Sequence, residues 1–145
     1  MKFLGIDYGT RRVGVAISDS AGEFSFARAV LDVTSDAEAV AAVCRVAREE
    51  EVDAIVVGMP RNMDGTSGAM VEIVNAFVSK LGAESGLPIE TWDERLTTAG
   101  VEKQLVAIDM SRARRKQVRD KLAAQAVLQG FLDARQSGGR DTSGA

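Results

Sequence analysis

The sequence predicts an α/β fold, a mixed five-stranded sheet flanked by helices. Two observations predict it. Three β-rich stretches follow one another near the N-terminus, spaced closely enough to pair as an antiparallel trio. Beyond them, short apolar runs alternate with stretches of helical periodicity, the pattern of parallel strands joined by crossover helices.

Phe3 to Tyr8 reads as a buried strand. Arg11-Arg12 makes a turn after Gly9, and Val13 to Ser18 returns as the second arm of a hairpin. Phe24 to Val33 is the third strand. Asp36 is placed to cap a helix running to about Glu50, with Ala39, Val40, Val43, Val46 and Ala47 at helical spacing. Asp53 to Met59 is short, β-branched and apolar throughout, as expected of a strand covered on both faces. A polar loop from Pro60 to Gly68 leads into a helix from about Ala69 to Ala83, ended by Gly82 or Gly86. Pro88 to Trp92 is the last strand, with Pro88 at its start. Thr97 or Thr98 caps a helix to about Val106, and Ser111 caps a long final helix to about Arg135.

At 145 residues the chain has the length of one domain and needs no disulfide to fold. That domain is expected over residues 1–135. Residues 136–145, QSGGRDTSGA, carry no large apolar side chain and are expected to be a disordered tail. The single cysteine, Cys44, lies among Val40, Val43 and Val46 and reads as a packed apolar residue. One cysteine makes no internal disulfide, and no apolar run is long enough to cross a bilayer, so a cytoplasmic location is expected with no membrane partner. Histidine is absent. This excludes Ser-His-Asp and Cys-His catalysis and histidine-ligated zinc. Hydrolytic chemistry must then come from carboxylates, hydroxyls, Lys, Arg or a hard metal held by oxygen.

Three acidic positions stand out. On the first strand Leu4, Ile6 and Tyr8 point one way and Phe3, Gly5 and Asp7 the other. Both faces are largely apolar, so Asp7 is costly unless paired or bound to a cation. Gly5 and Gly9 are expected to leave a ligand room beside it. Asp120 shares a helix face with Ala123, Ala124, Val127 and Phe131, where an acid breaks both the apolar stripe and helix propensity. Asp93 and Glu94 end the last strand just before a helix cap, a usual ligand position in α/β sheets, and alternation sends them to opposite sides. The residues alone do not choose between them. Each position also has a structural reading: a salt-bridged strand end, an ion pair with Lys116 or Arg119, and a helix-capping acid.

Net charge is −3, so bulk charge does not announce nucleic acid. The distribution does more, because Arg112, Arg114, Arg115, Lys116, Arg119 and Lys121 face a single acid in that stretch, Asp120. The loop after the fourth strand offers Arg61, Asn62, Thr66 and Ser67 to phosphate oxygens. It lacks the GxxxxGK[ST] pattern of a P-loop.

Leu4-Gly5-Ile6-Asp7-Tyr8-Gly9-Thr10-Arg11-Arg12-Val13-Gly14-Val15-Ala16 resembles the opening of the YqgF/RuvX family of Holliday junction resolvase-like proteins. Val57 to Thr66, Asp93-Glu94-Arg95-Leu96-Thr97-Thr98 and Asp120-Lys121-Leu122-Ala123-Ala124 through Gln129-Gly130 resemble its later motifs, in order, over about residues 1 to 135. Position 61 more often holds an aliphatic residue in that motif, and here it is Arg61. The resemblance implies an RNase H-like fold and a nuclease that processes the 5′ end of precursor 16S rRNA. Branched DNA is the alternative substrate, and ribosomal particles are possible partners. By motif position Asp7, Glu94 and Asp120 form the acidic triad, expected to hold Mg²⁺ or Mn²⁺, with Asp7 bridging two ions. Arg11, Arg12, Arg61 and the patch containing Arg112, Arg114, Arg115 and Lys116 are candidates for backbone contacts.

Two rival readings remain at this level. Gly5-Ile6-Asp7-Tyr8-Gly9-Thr10 also resembles the first phosphate loop of the actin, sugar-kinase and chaperone superfamily, although the chain has room for only one of its two subdomains. The other rival is a non-catalytic ribosome-assembly module with the same fold. The sequence gives no oligomeric state.

Overall fold

The computed structural model describes residues 1–60, 68–94 and 112–143, with the side chains of 122–137 in the last stretch. Among the described residues five strands and three helices follow in the order β1 (Phe3–Tyr8), β2 (Arg12–Ser18), β3 (Ser25–Asp32), α1 (Asp36–Glu49), β4 (Ala54–Met59), α2 (Ala69–Ser85), β5 (Ile89–Asp93) and α3 (Arg112–Ser143). The strands form one sheet in the order β3-β2-β1-β4-β5. β1 pairs antiparallel with β2, and β2 with β3, while β4 lies parallel to both β1 and β5. The mixed sheet expected from the sequence is the one observed.

Alternation along β1 divides the interior as predicted. Leu4, Ile6 and Tyr8 join Val43, Val57, Val74 and Phe77 in a core beneath α1 and α2. Phe3 joins Ala16, Val56, Ala124, Val127, Leu128 and Leu132 in a smaller core beneath α3. β1 is therefore central and covered on both faces, which is why its residues are apolar on both sides.

Three local details differ from the sequence reading. The N-cap of α1 is Ser35, not Asp36: the Ser35 hydroxyl accepts from the Glu38 amide at 3.2 Å. The Asp36 carboxylate is drawn away, because it accepts from the Tyr8 hydroxyl and, at 3.3 Å, from Lys80 Nζ. The last strand is Ile89–Asp93, one residue later than read, since Pro88 only presents its carbonyl to Ile55. Finally, α3 continues past Arg135 to Ser143. The end of α2 is as expected: Gly86 takes a left-handed conformation and its amide donates to the Gly82 carbonyl. The caps placed at Thr97, Thr98 and Ser111, and the helix to Val106, lie outside the described residues.

A polar clamp fixes α3 on the sheet. The Ser25 amide donates to Gln129 Oε1 at 2.8 Å, the Ser25 hydroxyl to the Gln125 carbonyl at 2.9 Å, and Gln129 Nε2 to the Glu23 carbonyl at 2.9 Å. These bonds tie the start of β3 to the middle of α3 and so set which turn of the helix overlies the carboxyl end of β1.

Candidate active site

Asp7 lies at the penultimate position of β1, on the face that carries Phe3 and Gly5 and meets α3. Its cross-strand partner on β2 is Gly14. On the other side β1 and β4 run in register through Ile6 and Val57, which sets Gly58 beside Asp7. Asp7 is thus flanked on its own face by residues without side chains.

Of Asp93 and Glu94, it is Glu94 that shares the α3 face with Asp7. Along β5, Ile89 packs toward the α1–α2 core and Trp92 toward the α3 core. Glu94, two residues past Trp92, falls on the α3 face with Asp7, and Asp93 falls on the other. A Cβ built on Gly58 would lie 2.7 Å from Glu94 Oε1 and 3.0 Å from Val127 Cγ2. The Glu94 carboxylate therefore occupies the space that Gly58 leaves empty, next to Asp7. Both acids sit at the carboxyl ends of parallel strands, where α/β sheets bind ligands.

The glycine expectation needs correction. Gly5 does not leave room for a ligand, because Leu128 fills that space: a Cβ there would meet Leu128 Cβ at 2.6 Å. Gly9 serves the turn, where a Cβ would meet the Arg12 carbonyl oxygen at 2.6 Å. The glycine that makes room for an acid is Gly58, whose missing side chain leaves space for Glu94. A glycine inside a strand already signals close approach, but only strand pairing says which acid it stands beside.

Position 120 falls in α3, one turn before Ala124, and its side chain lies outside the described residues. The side chains of Arg112, Arg114, Arg115 and Lys116 lie outside them too, at the start of the same helix. So do Arg61, Asn62 and Thr66. Among the described residues no group of three or more carboxylate, His or Cys side chains is arranged to hold a metal. Asp7 and Glu94 are the described members of the expected set. Their oxygen donors suit a hard divalent cation.

On the opposite face Tyr8 anchors the end of β1. Its ring packs on Phe77 with centroids 4.3 Å apart, and its hydroxyl donates to Asp36. Burial, the hydrogen bond and the Asp36 charge push the Tyr8 phenol up to about 12. The same hydrogen bond, helped by Lys80, holds the Asp36 carboxyl below its usual range. Trp92 closes the site on the β5 side. Its ring meets Phe131 edge-on at 6.1 Å, and its buried Nε1 has no hydrogen-bond partner among the described residues. Arg11 lies in the β1–β2 turn beyond Asp7 and Arg12 opens β2, its Nε 3.9 Å from Asp32 Oδ1.

Comparison with known proteins agrees with this fold and extends it. A protein of Symbiobacterium thermophilum named "Putative pre-16S rRNA nuclease" is 47% identical over 135 residues, covering 93% of this chain and 94% of its own. One of the same name from Pelotomaculum thermopropionicum is 43% identical, covering 99% of this chain and 97% of its own. Among solved structures, T. thermophilus RuvC in complex with a Holliday junction substrate superposes with a TM-score of 0.63 at 18% identity, over 94% of this chain and 96% of that one. That likeness shows a shared RNase H-like fold. The profile of the RuvX family, described as Holliday junction resolvase, matches residues 1–134, and the chain belongs to that family.

Proposed function

We propose that the chain is a divalent-metal-dependent nuclease that hydrolyses phosphodiester bonds in precursor 16S rRNA. Asp7, Glu94 and Asp120 are the carboxylates placed at the scissile phosphate. The observation that carries this reading is that Asp7 and Glu94 share one sheet face at the carboxyl ends of parallel strands, with Gly58 between them. Family membership supports nuclease chemistry, and the name its relatives carry supports RNA as substrate.

Asp7 and Glu94 would hold Mg²⁺ or Mn²⁺, with Asp120 completing the set. When bound, such an ion lowers the pKa of an attached water and offsets charge at the phosphate. The chain's own residues supply placement. Asp7 is fixed on a central strand held from both sides, and Glu94 is lodged against Gly58 and Val127. Tyr8, bonded to Asp36, keeps the strand end from shifting. Without histidine, no imidazole takes or gives a proton here. Arg11, Arg12, Arg61, Asn62, Thr66, Arg112, Arg114, Arg115 and Lys116 are assigned to the nucleic-acid backbone, where such contacts set register more than sequence preference. rRNA processing implies work in the cytoplasm beside ribosomal particles. Among the described residues no helix is long and apolar enough to cross a membrane.

The family description favours a second substrate, the Holliday junction. One experiment decides between them: incubation with a precursor 16S rRNA fragment and with a four-way DNA junction, each with and without Mg²⁺ or Mn²⁺. Cleavage of the RNA only with metal is expected, and Asp7→Asn should abolish it while leaving circular dichroism and melting intact. Full activity in Asp7→Asn would overturn the site. Binding without cleavage of either substrate would leave a ribosome-assembly module.

A further inference from the structure

A hollow of about 530 Å³ opens at the same end of the sheet as Asp7, lined by Thr10, Arg11, Arg12, Asp32, Val33 and Thr34. It is built from the β1–β2 turn on one side and the β3–α1 connection on the other. The Val33 amide donates to the Arg11 carbonyl at 2.9 Å and locks the two walls together. The turn is tight, with no room for a side chain at Gly9. The hollow is therefore preformed.

Among the described lining residues its chemistry is that of an anion site opposed by Asp32. Arg11 and Arg12 bring two guanidinium groups, and the Thr10 hydroxyl can donate. The Thr34 hydroxyl is already donating to Glu38 Oε2 at 2.6 Å, so it adds shape and not a proton. Asp32 opposes: its carboxylate stands 3.9 Å from Arg12 Nε and is 91% exposed. A contact that long between a half-exposed base and an open acid is weak. A phosphate replacing it would gain charge-assisted hydrogen bonds from both arginines.

Position gives the hollow its ligand. Arg12 lies on the face of Asp7, diagonal to it across the hairpin, because Asp7 pairs with Gly14. At a strand rise of about 3.3 Å per residue, the turn lies roughly 7–10 Å beyond Asp7. That separation suits a phosphate next to the one being cut on the same strand.

We propose that this hollow is a second phosphate subsite, in which Arg11, Arg12 and Thr10 grip a backbone phosphate flanking the scissile one. It deepens the nuclease reading, on which it rests for the course of the strand past Asp7. The subsite fixes how far a strand must extend beyond the cut before it is held, so it selects substrates by length on one side of the cleavage point.

The test uses the full chain and a fluorescein-labelled single-stranded RNA spanning a mature 16S 5′ end. A set of copies each carries one methylphosphonate linkage, which removes a single backbone charge. In the wild type, neutralising one linkage or two adjacent ones near the cut should weaken binding about tenfold, the size of a lost charged hydrogen bond. In Arg11→Ala those linkages should lose their effect, while the others keep theirs. Asp32→Asn should bind the unmodified RNA more tightly. Arg11 is exposed, so its variant is expected to melt as the wild type does. No sensitive linkage in the wild type, or the same linkage pattern in Arg11→Ala, would overturn the subsite. An intact, Arg11-dependent pattern without cleavage in Mg²⁺ would remove the nuclease reading and leave the subsite standing.

Discussion

At the scale of single residues, the site depends on atoms that are missing. Gly58 has no side chain, and Glu94 uses the vacancy. Gly58→Ala would drive a methyl group to 2.7 Å from Glu94 Oε1. The carboxylate is the flexible end of a long side chain, so it should move before the backbone does. We expect roughly a hundredfold loss of cleavage, the cost of displacing a reacting group by about an ångström. Stability should change by no more than about 1 kcal/mol. A Gly58→Ala enzyme that cleaves normally would show that Glu94 need not sit there.

Tyr8 and Asp36 give a second residue-scale expectation, at both ends of the pH range. The folded phenol is raised from 10.0 to about 12, so its contribution is whole below pH 10 and is lost as pH climbs through about 12. The Asp36 carboxyl is lowered from 3.8, so its contribution is present above that pH and drains away as pH falls below it. Tyr8→Phe removes the first and weakens the second, which Lys80 still supports. It should cost about 1 kcal/mol at neutral pH. Thermal melts against pH should show a shallower fall for the variant on the alkaline and acid sides alike. This pair also explains a misplaced cap. Ser35 and Asp36 are both good N-cap residues, and the choice was made by Tyr8, a neighbour in space and distant in sequence.

At the scale of elements, β1 and α3 touch closely because Gly5 permits it. Gly5→Ala would set a Cβ 2.6 Å from Leu128 Cβ, which no rotamer change relieves. The helix must lift from the strand, and a loss of about 1–3 kcal/mol is expected in urea unfolding. Leu128→Ala added to it should cost less than the sum of the two single changes. The sequence showed a glycine in a strand and read an opening. The opening exists in the bare sheet, and the helix from the far end of the chain closes it. The sequence was clearer about the strands, whose alternation named both buried faces of β1 before any pairing was known. Apart from the motif resemblance, it could not say which of Asp93 and Glu94 shares the Asp7 face, because that needs the face of Trp92. The end of α3 was misjudged for another reason. Gly138 and Gly139 each weigh about 1 kcal/mol against a helix, yet the helix runs through them to Ser143.

At the scale of the whole molecule, an acidic protein is proposed to bind a polyanion. Its net charge of −3 opposes the approach of RNA, so attraction must come from local bases: Arg11 and Arg12 in the hairpin, and the run from Arg112 at the start of α3. Affinity should fall steeply with salt, with a slope of about −0.7 per phosphate neutralised on single strands. Fluorescence titrations from about 50 to about 200 mM salt should show at least a tenfold weakening. A flat response would leave those bases without a role. The global fold was legible because hydrophobic order is local and repeated along the chain. The proposed site was legible only in part, because its residues come from separate elements of the chain, and the proposed basic rim from segments the strand pattern does not locate.

Trp92 is the chain's one indole. It is wedged between Phe131 and Gly130, two residues from Glu94, with its N–H sealed from solvent and unmatched among the described residues. All of the protein's tryptophan emission therefore originates beside the proposed carboxylate site. Any rearrangement of β5 against α3 as a cation or strand arrives would alter its colour and yield, so the molecule carries its own optical gauge of occupancy.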